Sequence, residues 1–175
     1  LKAADDTFAT SALVLMGYTK SSAQTKIKNA YTLEQSIASF CVSNAEKAES
    51  SFPANAYNSM TLDALSQSAK RFPLGRMLST LGFGADITFV IEQPDWLARM
   101  GVLFDQAYID LFKDLLVVNT IKRYATCLDS DMIKLAITRD NTVDGTTREL
   151  DFTDNAYRIC SRFLSDLLGM LFVQT

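Results

Sequence analysis

Residues 19–41 read TKSSAQTKIKNAYTLEQSIASFC, and this stretch decides the fold class. Its apolar residues recur every three or four positions, which predicts one long amphipathic helix that begins at Thr19 or Ser21. Polar residues fill the opposite side, so the helix should pack a single face on a core. The apolar face consists of Ile27, Ala30, Tyr31, Leu33, Ile37, Ala38 and Cys41.

Helical spacing continues through most of the chain. It predicts an N-terminal helix that ends at Gly17, a helix capped by Thr61, a short one over Leu74–Leu81 and one that begins at Pro94. Asp86–Ile91 is the only stretch typical of a strand, and one strand cannot form a sheet alone. The sequence therefore predicts an all-α fold, with two or three long amphipathic helices and at most one short extended segment.

The C-terminal half should hold the central helix. After Asp105 the pattern predicts a long helix whose apolar face passes through Leu116. Residues 132–137 predict a shorter helix, with Asp129 and Asp131 as capping acids at a helix boundary. The Asn- and Gly-containing residues 140–145 predict a loop. The positions that define the broad face of the central helix are Ile109, Phe112, Leu116 and Thr120, with Tyr108, Leu111 and Leu115 beside them.

A last helix, capped by Thr153 or Asp154, should cover Tyr157–Val173. We expect its inward face to be Cys160, Phe163, Leu167 and Leu171. The successive apolar residues Met170–Val173 cannot all face one core, so part of this run should be exposed. The N-terminal helix, with Leu1 and Phe8, is the second candidate for an exposed apolar surface.

Composition limits the possible functions. The chain has 175 residues, of which 48% are hydrophobic and 21% charged, so residues 1–175 should form a single helical domain. The net charge is −3, which argues against a nucleic-acid groove. The longest uncharged stretches, Thr7–Thr19 and Ser50–Leu62, are too short for a membrane span. Because the chain starts at Leu1 and ends just after an apolar run, we expect it to be part of a longer protein.

The residue types also exclude several kinds of catalysis. The chain has no histidine, so it cannot form a Ser–His triad, a Cys–His dyad or an H-E-x-x-H zinc motif. The three cysteines form no C-x-x-C pair. We therefore expect no catalytic, cofactor-binding or metal-binding residue in this chain. The residues whose types could contribute to such a site, but whose spacing does not support one, are Cys41, Cys127 and Cys160, the acidic pairs Asp5-Asp6, Asp129 with Asp131 and Glu149 with Asp151, and the lone Gly82-Phe-Gly84.

Several blocks of sequence follow one another along nearly the whole chain. They are LVLMGY at Leu13–Tyr18, followed by Ala23, Leu33-Glu34 and Ile37-Ala38, then YNSMT at Tyr57–Thr61, TFVIEQPDWL at Thr88–Leu97, YRIC at Tyr157–Cys160 and LGMLFV at Leu168–Val173. In this order they resemble the blocks of the neprilysin and endothelin-converting-enzyme family of zinc metalloendopeptidases, including its bacterial oligopeptidase members. One block departs from the family pattern at Ser59, where lysine is usual.

The resemblance implies that this chain is most of the helical domain that caps the catalytic domain and restricts the chamber to oligopeptides. Zinc and the residues that activate its bound water would lie in the catalytic domain of the same polypeptide, C-terminal to this chain. The chain alone would be inactive, and its partners would be that domain and oligopeptide substrates. Cys160 matches a cysteine that in secreted members bonds to one nearer the N-terminus, here before Leu1.

Two other interpretations stay open at this stage. The chain could be a stand-alone helical protein-interaction module without enzymatic activity, or an enzyme that uses carboxylates only. The compartment is also open, since a bacterial cytoplasm and a cell surface both fit the sequence.

Overall fold

Helices make up most of the chain. A computed structural model describes residues 1–49 and 51–174, apart from the side chains at positions 171 and 174. Two strands, β1 (Asn58–Thr61) and β2 (Thr88–Ile91), interrupt the helices. The helices are α1 (Lys2–Leu15), α2 (Lys20–Ala38), α3 (Asn44–Lys47), α4 (Phe52–Asn55), α5 (Leu62–Ala69), α6 (Leu74–Thr80), α7 (Pro94–Leu103), α8 (Ile109–Tyr124), α9 (Ser130–Asp144), α10 (Phe152–Phe163) and α11 (Ser165–Gln174).

The fold is all-α, as the sequence predicts. The two strands form one small antiparallel ribbon in which Asn58 pairs with Ile91 and Thr61 pairs with Thr88. Strand β1 was not predicted from the sequence, because the residues NSMT contain no run of β-branched side chains. The side-chain amide of Asn58 donates to the carbonyl oxygen of Ile91 at 3.0 Å, which adds to the ladder between the strands.

The chain divides into two compact units. The first contains Leu1–Ala30 and Asp114–Thr175, and the second contains Tyr31–Lys113. Helices α2 and α8 carry the chain from one unit to the other, because each begins in one and ends in the other.

In the first unit, α1 packs against α9. Leu13 is fully buried, and Ala9 and Ala12 are small enough to let the neighbouring backbone approach closely. Phe8 is only 2% exposed, and the guanidinium of Arg139 lies 4.6 Å from the centre of its ring. The expectation that Phe8 belongs to an exposed surface is therefore wrong. Leu1, by contrast, is exposed as expected.

In the second unit, α5 is the central helix and contacts β1, α6 and α7. The Thr61 hydroxyl accepts from the Ala64 amide at 3.3 Å and caps α5, as predicted. Buried Leu65 and Ala69 pack with Leu97 of α7. Partly buried residues surround this cluster: Met60, Phe72, Leu74, Leu78, Phe89, Ile91 and Trp96.

Helix α9 is longer than the sequence predicts. Residues 140–144, expected as a loop, continue the helix to Asp144, and it ends at Gly145 with φ of +67°. The polar residues do not break the helix because their side chains bond locally: the Thr142 hydroxyl donates to the Thr138 carbonyl at 2.8 Å. Asn141 binds the backbone of Arg148, which secures the chain just after the helix.

The predicted last helix is two helices, α10 and α11. Asp151 caps α10 by accepting from the amides of Thr153 and Asp154, so the expected caps were placed two or three residues too late. Cys160 and Phe163 are half-buried. Leu167 is 56% exposed, so its predicted inward position is wrong. The side chain of Leu171 lies outside the described residues.

Helix α2 confirms the long amphipathic helix predicted within residues 19–41, but it ends earlier than predicted. The Thr19 hydroxyl accepts from the Ser22 amide at 3.2 Å, as expected of a cap. The helix stops at Ala38, and Cys41 is exposed rather than part of the buried face. The buried positions of α2 are Ala23, Ile27, Ala30 and Leu33.

Candidate functional site

Helix α8 buries a carboxylate in the first unit. The predicted apolar face of this helix is wrong only in its later part: Ile109 and Phe112 are half-buried, but Leu116 is 67% exposed. The buried face is rotated toward Asp114, Val118 and Ile121. The Lys26 ammonium donates to Oδ1 of Asp114 at 2.6 Å, and the Asn29 amide donates to Oδ2 at 2.8 Å. Both oxygens of a nearly buried acid thus receive a hydrogen bond from α2.

These contacts decide the charge of Asp114. Burial raises the pKa of this carboxyl, but the hydrogen bonds from Lys26 and Asn29, together with the Lys26 charge, outweigh burial and hold the pKa below its ordinary value. Asp114 is therefore ionised at neutral pH. The ion pair joins α2 to α8 within the first unit, which is a structural role. The sequence signal that could have revealed it is the position of Asp114 directly before the apolar run Leu115–Val118.

In the acidic pairs Asp5-Asp6 and Asp129 with Asp131, the two carboxylates bind different partners. Asp5 binds Lys122 at 2.5 Å, and Asp6 binds Lys2 at 2.7 Å. Asp129 accepts from two backbone amides and caps α9, which confirms the expected helix boundary. Its neighbour Asp131 pairs with Lys134.

A cleft of about 700 Å³ lies beside α10 in the first unit, and charged residues line it. Some of these charges are paired, but acids outnumber arginines in the lining. Asp140 pairs with Arg139 at 2.7 Å and with Arg148 at 3.5 Å, and Asp154 pairs with Arg158 at 2.7 Å. Among the described residues, no three potential metal-binding side chains converge here.

The donor set does not fit a zinc ion. The sequence has no histidine, and the described part of the chain has no group of three potential metal-binding side chains. The cysteines are free: Cys41 and Cys127 are exposed and Cys160 is half-buried. In the same described residues, no helix is long and apolar enough to cross a membrane.

An aromatic stack with two neighbouring arginines joins the end of α8 to the end of α10 in the first unit. The rings of Tyr124 and Phe163 stack with centres 5.5 Å apart and an interplanar angle of 18°. The Arg123 guanidinium lies 6.0 Å from the centre of Phe163, and that of Arg162 lies 5.4 Å from it. This cluster was not predicted from the sequence, because residues 123–124 and residues 162–163 are far apart along the chain.

The fold is similar to one part of several solved structures. The zinc metalloprotease Zmp1 of Mycobacterium tuberculosis, in its open state, shares 19% identity and a TM-score of 0.78. The inhibitor complex of Zmp1 gives 19% and 0.79, and PepO from Lactobacillus rhamnosis HN001 gives 20% and 0.77. No curated protein matches the chain.

The likeness covers nearly all of this chain but little of its relatives. The Zmp1 structures match over 98% of this chain and 27% or 26% of theirs, and PepO over 99% and 27%. The chain thus spans about a quarter of the length of these proteins. The N-terminal model of peptidase family M13 matches residues 2–175. Since that match takes in practically the whole sequence, the chain belongs to peptidase family M13.

Proposed function

We propose that this chain is the non-catalytic helical capping region of a longer zinc metalloendopeptidase, and that both of its units belong to that region. The observation that carries the proposal is the family match over residues 2–175, combined with a likeness that covers only about a quarter of each related structure. Zmp1 is a zinc metalloprotease, and we extend that activity to the full-length protein.

In this proposal the chain contributes shape and not chemistry. Zinc, held by residues outside residues 1–175, would supply a water of lowered pKa for attack on a peptide bond. The helices seen here would form a wall of the substrate chamber, which limits the size of the peptides that enter. The chain's partners would be the catalytic domain and oligopeptide substrates. The residues of this chain would hold no zinc and perform no step of the hydrolysis.

Zinc content and peptide hydrolysis test the location of the chemistry. We expect the full-length protein to contain about one zinc per chain and to cleave a quenched oligopeptide, and chelation should abolish this activity until zinc returns. The 175-residue chain should neither bind zinc stoichiometrically nor cleave the peptide. Hydrolysis by the 175-residue chain that survives repurification would contradict the proposal. An inactive full-length protein that binds other proteins would favour the interaction module.

A further inference from the structure

The cleft beside α10 carries negative charge that its own arginines do not neutralise. Five carboxylates and three arginines line it. Arg148 and Arg158 are already paired with acids of the lining. Asp144 and Glu149 are exposed, and within the described part of the chain their side chains form neither an ion pair nor a hydrogen bond. The cleft therefore holds two carboxylates that are available to a cation from outside.

The third arginine of the lining, Arg162, does not supply the missing charge. Its guanidinium lies 5.4 Å from the centre of the Phe163 ring, and it forms no ion pair among the described residues. The aromatic contact holds this group at the stack of Tyr124 and Phe163, without pairing it to an acid.

A nearly buried amide oxygen lies in the same cleft. Asn155 is 8% exposed and belongs to the lining, and its amide nitrogen donates to the Thr126 carbonyl oxygen at 3.1 Å. Its Oδ1 accepts no hydrogen bond from the described part of the chain, but this oxygen remains open to solvent. A nearly buried acceptor is costly unless a donor reaches it. The cleft thus combines an acceptor that needs an N–H or O–H donor with carboxylates that favour a positive one.

The chain holds these acceptors in place before a ligand binds. Asn141 accepts from the Arg148 amide at 3.0 Å and donates to the Arg148 carbonyl oxygen at 2.7 Å, which secures the segment just before Glu149 to α9. Asp144 is the last residue of α9, and Asn155 lies on α10. Groups that are already ordered lose little freedom when a ligand binds them.

An aromatic ring completes the lining. Tyr157 is 71% exposed, so its ring can cover a cation in the cleft. The volume of about 700 Å³ lies within the range of small-ligand sites. A guanidinium group matches this combination, because it is planar and carries several N–H donors that can reach a carboxylate and an amide oxygen together. An ammonium group is a compact charge and matches the ring and the amide less well.

We propose that this cleft binds a guanidinium group, carried by an arginine side chain of a peptide or by a free guanidinium compound. Asp144 and Glu149 bind its charge, Oδ1 of Asn155 accepts one of its N–H groups, and the Tyr157 ring covers its face. A metal ion matches the cleft less well, because no three potential metal-binding side chains converge among the described residues. The inference goes beyond the proposed function, since binding here requires neither zinc nor hydrolysis.

Fluorescence anisotropy of the full-length protein tests the proposal, with zinc removed by chelation so that the probe stays intact. The probe is a labelled three-residue peptide with a central arginine. Its control contains citrulline, which has nearly the same shape but no charge. We expect the citrulline peptide to bind roughly tenfold or more weakly, because the charged hydrogen bonds are lost. Equal Kd values for the two peptides would overturn the proposal, and so would a lysine peptide that binds as tightly as the arginine peptide.

Charge removal tests whether this cleft is the site. The double variant D144N/E149Q should weaken binding of the arginine peptide roughly tenfold, because two carboxylate partners are lost. The matched control E49Q/D86N makes the same two kinds of substitution at exposed acids of the second unit and should leave Kd nearly unchanged. Equal weakening in both variants would overturn the proposal, because only the overall charge would then matter.

The Tyr157 ring has a separate test. Tyr157→Leu should weaken binding roughly threefold, whereas Tyr157→Phe keeps the ring and should retain the native Kd. Because this side chain is exposed, neither change should disturb the fold. A native Kd in Tyr157→Leu would overturn the choice of a guanidinium group, which rests on a ring that covers its face.

Competition with methylguanidinium distinguishes the two sources of the group. A peptide that binds roughly tenfold more tightly than methylguanidinium assigns the site to peptides, and comparable Kd values assign it to free guanidinium compounds. Failure of methylguanidinium to displace the peptide would overturn the proposal. A protein that binds the arginine peptide but shows no peptidase activity with zinc would overturn the proposed function and leave this site intact. An active peptidase without such binding would do the reverse.

Discussion

At the scale of single residues, Asp114 shows how the fold sets chemistry. Its side chain is 11% exposed, and it remains ionised because Lys26 and Asn29 bind its two oxygens. A nearly buried carboxylate is stable only with such partners, since burial alone would favour the neutral form. The residue therefore links two helices through charge where the surrounding helix uses apolar contacts.

Replacing Lys26 with methionine should destabilise the chain. The change keeps the length of the side chain but removes the ammonium that pairs with Asp114, so we expect the free energy of unfolding to fall by about 2–3 kcal/mol. Lys113→Met is the matched control, because the exposed Lys113–Asp110 pair should contribute less than about 0.5 kcal/mol. Urea denaturation measures both. Equal losses in the two variants would contradict the structural role of the Lys26–Asp114 pair.

The same pair predicts a pH dependence of known sign. The pKa of folded Asp114 lies below its ordinary value of 3.8, so the pair's contribution is complete above that value and is lost as pH falls through the lower folded pKa. The stability difference between the native chain and Lys26→Met should be constant near neutral pH and shrink below about pH 4. Denaturation at a series of pH values measures it. A difference that grows in acid would be inconsistent with this assignment.

Gly101 is a second residue that packing determines. A β-carbon at this position would lie 2.0 Å from the carbonyl oxygen of Ala69, so α7 approaches the backbone of α5 too closely for any side chain. Gly101→Ala should cost about 1–3 kcal/mol, toward the upper end because backbone atoms must move. Gly169→Ala has open space and should instead stabilise α11 by about 0.5–1 kcal/mol. Thermal unfolding compares them, and an unchanged Gly101→Ala melting temperature would refute the close contact.

At the scale of elements, α1 and α11 are both rich in apolar residues but differ in what covers them. Helix α1 buries its apolar face against α9, whereas α11 exposes most of its described large side chains. Helix α1 thus belongs to the core of the first unit, whereas α11 forms part of its exposed surface.

Alanine substitutions should separate the two helices. Leu13 is fully buried in α1, so Leu13→Ala should lower the free energy of unfolding of the 175-residue chain by about 2–5 kcal/mol. Leu167→Ala should change it by less than about 1 kcal/mol, because this side chain is already half in water. Chemical denaturation of the two variants checks the ranking. A larger loss for Leu167→Ala would mean that α11 belongs to the core.

The sequence predicts those elements whose signals are local. The capping residues Thr19, Thr61 and Asp129 and the terminating Gly17 lie where the sequence analysis placed them, because each acts on the few residues beside it. The all-α class follows from a helical period that nearly every segment shares.

What the sequence does not predict depends on contacts between distant residues. Strand β1 exists because β2 offers a partner, 27 residues after the end of β1. The buried face of α8 is set by Lys26, whose ion pair draws Asp114 inward and leaves Leu116 exposed. The stack of Tyr124 and Phe163 with its two arginines was not predicted for the same reason, because it depends on contacts between distant residues. Among the exposed apolar residues of α11, exposure was predicted only within Met170–Val173, where four successive apolar residues are a local signal.

At the scale of the whole molecule, the chain belongs to peptidase family M13 and contains no histidine. The family match covers residues 2–175. Several acids of the first unit form ion pairs or cap helices, as Asp5, Asp114 and Asp129 show. The proposed role in shaping access to a catalytic centre elsewhere in the protein is consistent with these observations.

Substrate size tests this role most directly. The measurement is kcat/KM of the full-length protein for one cleavable sequence, placed in a short quenched peptide and in an unfolded polypeptide of domain size. A capping region predicts a preference for the short peptide of roughly a hundredfold or more, because the longer chain cannot enter the enclosed chamber. Equal values of kcat/KM for the two substrates would contradict the account.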